Sequence, residues 1–581
     1  MEAKQKSPDK LLRLAEAIKR YVRPAMRLHM AGGIGGPSAA ICEIIRQFSG
    51  TSPDFELIQS TVTGHAINMI HCNLIKKLIF SACIEISLSA HPSKVIQRAY
   101  SRGGIELENW SLLSLQQRLM AGALGLSFMP TKSISGSTLA FDNRHYFTEI
   151  DSPFDSGEKT GVMKALHPDL SIIHGCVSDS CGNTVLQVPY GDDIWGSLAS
   201  REGVLVTVER IVPPEIIERY SYLVKIPSFH VRAVCLAPRG MHPYALADPI
   251  EPINKSYESD VDFLMDLHRA SSDPKTLDKW IKAWVTDCKT HEDYVRKLGE
   301  AQNSGHRKSV EKRPVAEAVR SARSSEKPVA DYTPDDMVMI AAAREIVESV
   351  IRSNHKTMLV GAGSWSVAAS FAYYELIRKG YEIDLIAGNG LIGYRPNPGN
   401  QSTQTISGIL SSRMLTDTIT AHGVFVGGKN SKCLSVLGAG QIDKYANINS
   451  SRTSSGKFLV GTGGANDAAN ANEVIVILNQ DKGRFVETLP YVTAKGHRVT
   501  KVISTKGVFS KAPGVDELCL RSCFPDSRGI SLDESIEEIE NHCDWALKKA
   551  QEVQRLPEPT KDELQTLRSL LDPTSEGHSL V

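Results

Sequence analysis

Glycine-rich turns that follow short apolar runs are the residues of this chain best placed to do chemistry. Leu28-His-Met-Ala leads into Gly32-Gly33-Ile-Gly35-Gly36, and Met358-Leu-Val leads into Gly361-Ala-Gly363-Ser. A third turn, Gly461-Thr-Gly463-Gly464-Ala465-Asn466-Asp467, follows Phe458-Leu-Val. Such a turn between a strand and a helix brings bare main chain to a ligand and aims N–H groups at an anion. Against a carbonyl oxygen the same N–H groups form an oxyanion hole. Packing a helix tightly on a sheet is the competing use of these glycines. The first loop is not Gly-x-Gly-x-x-Gly and lacks the Gly-Lys-Ser/Thr of a phosphate loop. His65, His174 and His242 are candidates for acid–base work, with a purely structural role as the alternative.

A second signature also occurs twice. Asp179-Ser-Cys-Gly182-Asn183 follows Leu170-Ser-Ile-Ile, and Asp443-Lys-Tyr-Ala446-Asn447 follows Leu434-Ser-Val-Leu. Both read Asp-x-x-small-Asn, and their duplication argues for turn building rather than paired catalytic carboxylates. The recurrence predicts two copies of one α/β plan, with the working site between them.

The elements that must position these residues follow from the pattern. Strands are expected at Ser171-Ile-Ile, Gly203-Val-Leu-Val-Thr-Val, Val231-Arg-Ala-Val, Phe458-Leu-Val and Ile383-Asp-Leu-Ile. Asp262 to Leu298 is helical, broken near Asp273-Pro274. Thr333 is a helix N-cap with Pro334 at the first helical position, opening a helix through Met337–Val350. A second helix runs from Ser366 to Lys379. Strand–helix–strand order with short loops predicts parallel sheets. The expected organisation is a first domain over 1–300, a Ser/Lys/Arg/Glu/Pro-rich flexible linker over 301–331, a second domain over 332–556 and a loosely attached polar tail over 557–581.

Bulk properties narrow the function. The 581 residues are 41% hydrophobic and 23% charged, ordinary globular proportions, with net charge +0. That balance offers no electrostatic footprint for nucleic acid or an anionic membrane. The opening residues lack the apolar core of a secretion signal, and Val474 to Leu478 falls far short of a membrane span. The 11 cysteines, with close pairs Cys176/Cys181 and Cys519/Cys523 but no Cys-x-x-Cys, predict a reduced cytoplasmic setting and no metal site.

The second half resembles the β subunit of glutaconate CoA-transferase, a family I CoA-transferase. Gly440-Gln-Ile-Asp443-Lys-Tyr-Ala446-Asn447-Ile-Asn449-Ser, Gly461-Thr-Gly463-Gly464-Ala465-Asn466, Arg484-Phe485-Val and Tyr491-Val-Thr493 carry the likeness. The first half resembles the α subunit through Gly32-Gly33-Ile-Gly35, His167-Pro168-Asp169 to Asn183, Val208-Glu209-Arg-Ile-Val and Gly240-Met-His242-Pro243. The resemblance spans 25–245 and 333–510. It implies two related open α/β domains of the CoA-transferase (NagB-like) fold fused in tandem, with an acyl-CoA site between them. No cofactor beyond the coenzyme A of the substrate is implied, and a homodimer of fused chains is expected.

In that family a β-half glutamate, in a Glu-Ser-Gly-Leu turn, attacks the thioester. Here the turn reads Gly388-Asn389-Gly390-Leu391, so the nucleophile position falls on a glycine. Glu382 is too early in the chain to substitute. A ping-pong transfer needs that carboxylate. The expected site therefore comprises Gly388 as a vacant slot, Asn389, Gly463, Gly464 and Asn466, with Gly32, Gly33, Gly35, Gly361, Gly363, Gly390 and Ala465 lining the substrate. Asn389 either bonds substrate or only shapes the turn; Asn466 either donates to the thioester or caps its helix. The expected activity is decarboxylation or hydrolysis of an acyl-CoA. CoA transfer by an unusual route, and an acyl-CoA-binding scaffold without catalysis, are the alternatives.

Overall fold

The computed structural model describes residues 9–32, 35–86, 89–154, 157–251, 256–303, 332–361, 363, 365–399, 405–511, 514–525 and 529–572. Gly33 and most of the expected linker lie outside them. Two sheets organise the rest, one in each half of the chain.

The first is built from β1 (Arg27–Met30), α1 (Ser38–Phe48), β2 (Phe55–Val62), β3 (Ile75–Ile86), α2 (Leu112–Ala123), β4 (Leu170–Ser178), β5 (Val204–Ile211) and β6 (Val231–Leu236). Its strands lie in the order β6-β5-β4-β1-β2-β3, each parallel to its neighbours, with short strands added at the margin. All nine residues of β4 are buried, as expected of a parallel strand covered on both faces.

The second half repeats the plan. It contains α3 (Pro334–Ser353), β7 (Thr357–Val360), α4 (Ser366–Arg378), β8 (Asp384–Ala387), β9 (Cys433–Gly438), β10 (Glu473–Leu478) and β11 (Val499–Ser504). The parallel order is β8-β7-β9-β10-β11. In each lobe the chain lays one strand on one side of the first (β2 on β1, β8 on β7) and then crosses to the other side (β4, β9). That reversal opens a crevice beyond the carboxyl ends of the strands, where open α/β sheets bind ligands.

The two Asp-x-x-small-Asn segments are the same turn. Asp179 Oδ1 accepts the N–H groups of Cys181 and Asn183, each at 2.9 Å, and Oδ2 accepts Asn183 Nδ2 at 2.7 Å. Asp443 Oδ1 accepts those of Tyr445 and Asn447, each at 2.9 Å, and Oδ2 accepts Asn447 Nδ2 at 2.8 Å. Each carboxylate ties up three donors within its own loop, so the duplicated residues hold chain direction after β4 and β9.

The glycine loop after β1 is pinned from below. Gly32 N–H donates to Asp192 Oδ1 at 3.0 Å, and Ser60 N–H donates to Asp192 Oδ2 at 2.9 Å. His29 Nε2 lies 3.7 Å from the same buried carboxylate. Burial alone would raise the Asp192 pKa; the His29 ring and the Ser60 and Gly32 donors outweigh it and hold the group down at about 2.

Local signals set most helix ends. Thr333 and Asp336 form a reciprocal capping box with Pro334 inside it, and Asn354 closes α3 in the left-handed conformation. Asp273 caps Pro274–Ile281, which separates that helix from Val261–Ser271. Three expectations need correction. The helix His291–Asn303 runs past the boundary placed at 300. Phe458-Leu-Val is no strand: Phe458 makes a single bridge to Arg452, and the segment pairs with the other lobe. The chain from 557 is not a loose tail as far as 571. Thr560 caps α5 (Lys561–Leu571), which lays Leu564, Leu567 and Leu570 into the core with α3 and α4, while Arg344 clamps Glu563 at 2.7 Å. Its polar composition belongs to the outward face of an amphipathic helix.

Two measurements follow. Leu567 is 0% exposed, so Leu567→Ala should cost about 2–5 kcal/mol in denaturant unfolding; an unchanged midpoint would mean that α5 is not docked. Asp192 has a depressed pKa, so its contribution to stability is complete above the usual 3.8 and is lost as pH falls toward 2. Asp192→Asn should therefore be less stable than the parent at neutral pH, and the gap should close in acid; a gap independent of pH would contradict this assignment.

Candidate active site

Main-chain hydrogen bonds join the lobes where β3 meets the third glycine turn. Cys83 N–H donates to Val460 O, Gly463 N–H to Ser81 O and Leu112 N–H to Gly463 O, each at 2.9 Å. Ala82 and Gly461 form an antiparallel bridge. A Cβ on Gly461 would stand 2.6 Å from Ser81 O, and Gly461 has φ +88°, so only glycine brings the two chains this close. Asn109 locks the bridge: its Oδ1 accepts Thr462 N–H at 3.0 Å and Thr462 Oγ1 at 2.7 Å, while its Nδ2 donates to Ser81 O at 2.7 Å.

Two site expectations change as a result. Gly463 spends both its N–H and its carbonyl on the first lobe, so neither is left for an oxyanion. Asn466 neither caps its helix nor points a donor at substrate. Its Oδ1 accepts Ile134 N–H at 2.8 Å and its Nδ2 donates to Thr493 O at 2.9 Å, which sews the lobes together a second time. The adjacent buried Asp467 does likewise, accepting Leu113 N–H at 2.9 Å and Ser133 Oγ at 2.7 Å. Burial pushes its carboxyl up, against the nearby His422 ring and these donors.

Gly464 and Gly388 meet on one side chain. A Cβ on Gly388 would stand 2.5 Å from His422 Nε2, and a Cβ on Gly464 would stand 3.0 Å from the same atom. The ring fills the space beneath both glycines. His422 comes from a π-helical segment, Ile419–Val426. The chain entering that segment is seated on the Gly388 turn: Thr416 N–H donates to Gly390 O at 2.9 Å. Gly390 has φ +111° and no room for a Cβ, which would stand 2.6 Å from Thr416 O. Gly390 therefore positions His422 rather than lining a substrate cavity.

His422 is 2% exposed, and neither ring nitrogen has a hydrogen-bond partner among the described residues. The same is true of Asn389 Oδ1. Burial pushes the imidazole below its ordinary range, and Asp467 pulls in the opposite sense. Gly388 and Gly464, which cover the ring, and their neighbours Asn389, Gly463 and Ala465 are half-buried. The arrangement is a set of half-buried, glycine-rich turns packed over a buried imidazole, with Asp467 nearby.

The other expected residues sit elsewhere. Gly361 N–H donates to Val436 O at 2.9 Å at the end of β7, and a Cβ on Gly363 would meet open space. Gly35 is covered rather than open: a Cβ there would be 3.3 Å from Tyr244 Cβ and 3.5 Å from Met241. Among the histidines, His174 bonds Thr207 and Glu209, each at 2.9 Å, and His242 bonds Tyr294 at 2.5 Å and Asp260 at 3.2 Å. His65 is packed among Phe263, Trp280 and Tyr294, and burial drops its pKa to about 3. All three serve the interior of the first lobe. His422, which the sequence reading missed, is one of 17 histidines, set in Thr-Ala-His-Gly-Val with no distinctive spacing. The only hint of it was indirect, because a glycine where a long side chain is expected leaves volume for something to fill.

Among the described residues no helix is long and apolar enough to cross a membrane, and no cluster of His, Cys, Asp and Glu could hold a metal ion. The coenzyme A transferase family model matches residues 11–237. The glutaconate CoA-transferase of Acidaminococcus fermentans matches through its first subunit, 28% identical over 310 residues, covering 50% of this chain and 92% of that one. The 3-oxoadipate CoA-transferase of Pseudomonas knackmussii matches through its second subunit, 28% identical over 274 residues, covering 42% of this chain and 96% of that one. In overall fold the protein is similar to an acyl-CoA transferase of Escherichia coli O157:H7, with a TM-score of 0.66, 16% identity, and coverage of 99% of this chain and 98% of that one. The first part of the chain thus matches the coenzyme A transferase family model, and its two halves are similar in turn to the two subunits of glutaconate- and 3-oxoadipate-type CoA-transferases, in tandem, in one polypeptide.

Proposed function

We propose that the protein decarboxylates or hydrolyses an acyl-CoA at the seam between its lobes, rather than passing CoA through an enzyme-bound glutamyl thioester. One observation supports this above others. The position that the resemblance assigns to the attacking glutamate is Gly388, and the space its side chain would enter is held by the His422 imidazole. A covalent relay needs a nucleophile that can form and release an acyl or thioester bond. An imidazole in that space offers no carboxylate to carry CoA as a glutamyl thioester. Coenzyme A enters as part of the substrate, and no further cofactor is required.

Incubation of the protein with a panel of acyl-CoAs, with and without acetate, tests the reading by mass spectrometry. Free CoA with free acid, or loss of CO₂ with CoA retained, is the expected result; acetyl-CoA formed only when acetate is present would overturn it. The slot itself can be probed by refilling it. Gly388→Glu alone forces a Cβ to 2.5 Å from His422 Nε2 and should destabilise by about 1–3 kcal/mol. Combined with His422→Ala the glutamate has room, and incubation with acyl-CoA should give a protein adduct of CoA less one water. A folded double variant that never forms that adduct would show that position 388 is not the slot.

A further inference from the structure

We propose that His422 is the catalytic base of this site, taking a proton from a water that attacks the thioester, so that the activity is acyl-CoA hydrolysis. The inference rests on the reading of the seam as an acyl-CoA site and chooses between the two reactions left open there.

The argument begins with what the ring lacks. A side chain needed only to fill space under Gly388 and Gly464 would be apolar. An imidazole with both nitrogens buried and unmatched is a costly filler, and such groups in folded proteins are normally met by water or ligand. Here both nitrogens of His422 and Asn389 Oδ1, in the turn above it, are unmatched. The unmatched atoms belong to the ring and to the turn that covers it, and a water or a thioester carbonyl would supply the partners they lack.

The form of the ring then selects the chemistry. Burial favours the neutral imidazole, which accepts a proton. Decarboxylation calls for no base before the carbon–carbon bond breaks, and afterwards needs an acid. Hydrolysis needs a base first. The charged group facing the ring is Asp467; Leu112 and Leu113 from α2, and Gly388 and Asn389 from the turn after β8, contribute no charge. Asp467 accepts hydrogen bonds from Leu113 N–H and Ser133 Oγ, an arrangement that suits a carboxylate and stabilises the imidazolium once formed.

The step balances without any further reactant. Water oxygen bonds to the thioester carbon as its proton passes to the ring, and the carbonyl pair moves onto oxygen. That pair returns, the carbon–sulfur bond breaks, and the sulfur leaves with the bonding electrons and takes the proton back from the imidazolium. One acyl-CoA and one water give the free acid and CoA thiol.

His422→Phe keeps an aromatic ring and removes both nitrogens; His422→Ala empties the site. Both are compared with the parent by thiol release from the acyl-CoA panel, with thermal unfolding as the check on folding. The expected result is hydrolysis by the parent, a loss of about 100-fold or more in kcat for both variants, and partial recovery of the alanine variant with added imidazole. A folded phenylalanine variant within about threefold of the parent, or an alanine variant that imidazole does not restore, would overturn the role of His422. Loss of CO₂ with CoA retained by the parent would overturn hydrolysis while leaving the acyl-CoA reading in place. Transfer to acetate by the parent would remove both.

Discussion

The approach of Gly461 to Ser81 is the constraint from which the rest of the site follows. At that point the second lobe presents a main chain without a side chain, in a left-handed conformation, to the end of β3. Any Cβ would strike the Ser81 carbonyl. Because it is absent, Cys83, Ser81 and Leu112 form main-chain bonds to Val460 and Gly463. Those bonds place α2 beside the turn that holds Gly464, Asn466 and Asp467. The amides and carboxylate of that turn then complete the junction through Leu113, Ser133 and Ile134. Glycines that look like a ligand cradle in the sequence are, in good part, the means by which the lobes touch.

The floor of the site is set by a comparable economy of volume. Gly388 follows β8 and Gly464 lies between β9 and β10, yet one imidazole edge contacts both. Gly390 closes the turn so that Thr416 can bond to it, and the π-helical segment beyond carries His422 inward. Where the resemblance leads one to expect a glutamate on the turn, this chain has a glycine there and an imidazole packed beneath it.

Much of the architecture was legible before any coordinates. The apolar runs before Gly32 and Gly361 are β1 and β7, the Thr333-Pro334 signal opens α3, and the paired Asp-x-x-small-Asn segments are turns with the same hydrogen bonds. These features are local, since their geometry is written within a few consecutive residues. The site was less legible because its partners are distant in sequence. Nothing near Asn466 announces that its amide will be spent on Ile134 and Thr493, and nothing near His422 announces Gly388. The misreading of Phe458-Leu-Val is related, since the segment makes only a single bridge, to Arg452, and gives the Val460 carbonyl to Cys83 in the other half of the chain. The polar segment after Leu556 misled for another reason: composition averages over an amphipathic helix whose leucines all fall on one side.

The junction between the lobes has a bearing on how such a protein can change over time. Its central bonds at Val460, Gly463, Ser81, Cys83 and Leu112 run from peptide group to peptide group. Side chains there can drift without disturbing the register, provided the glycines remain. A lineage could therefore exchange the reactive groups around the crevice, and with them its chemistry, while keeping the same two halves clasped in the same way.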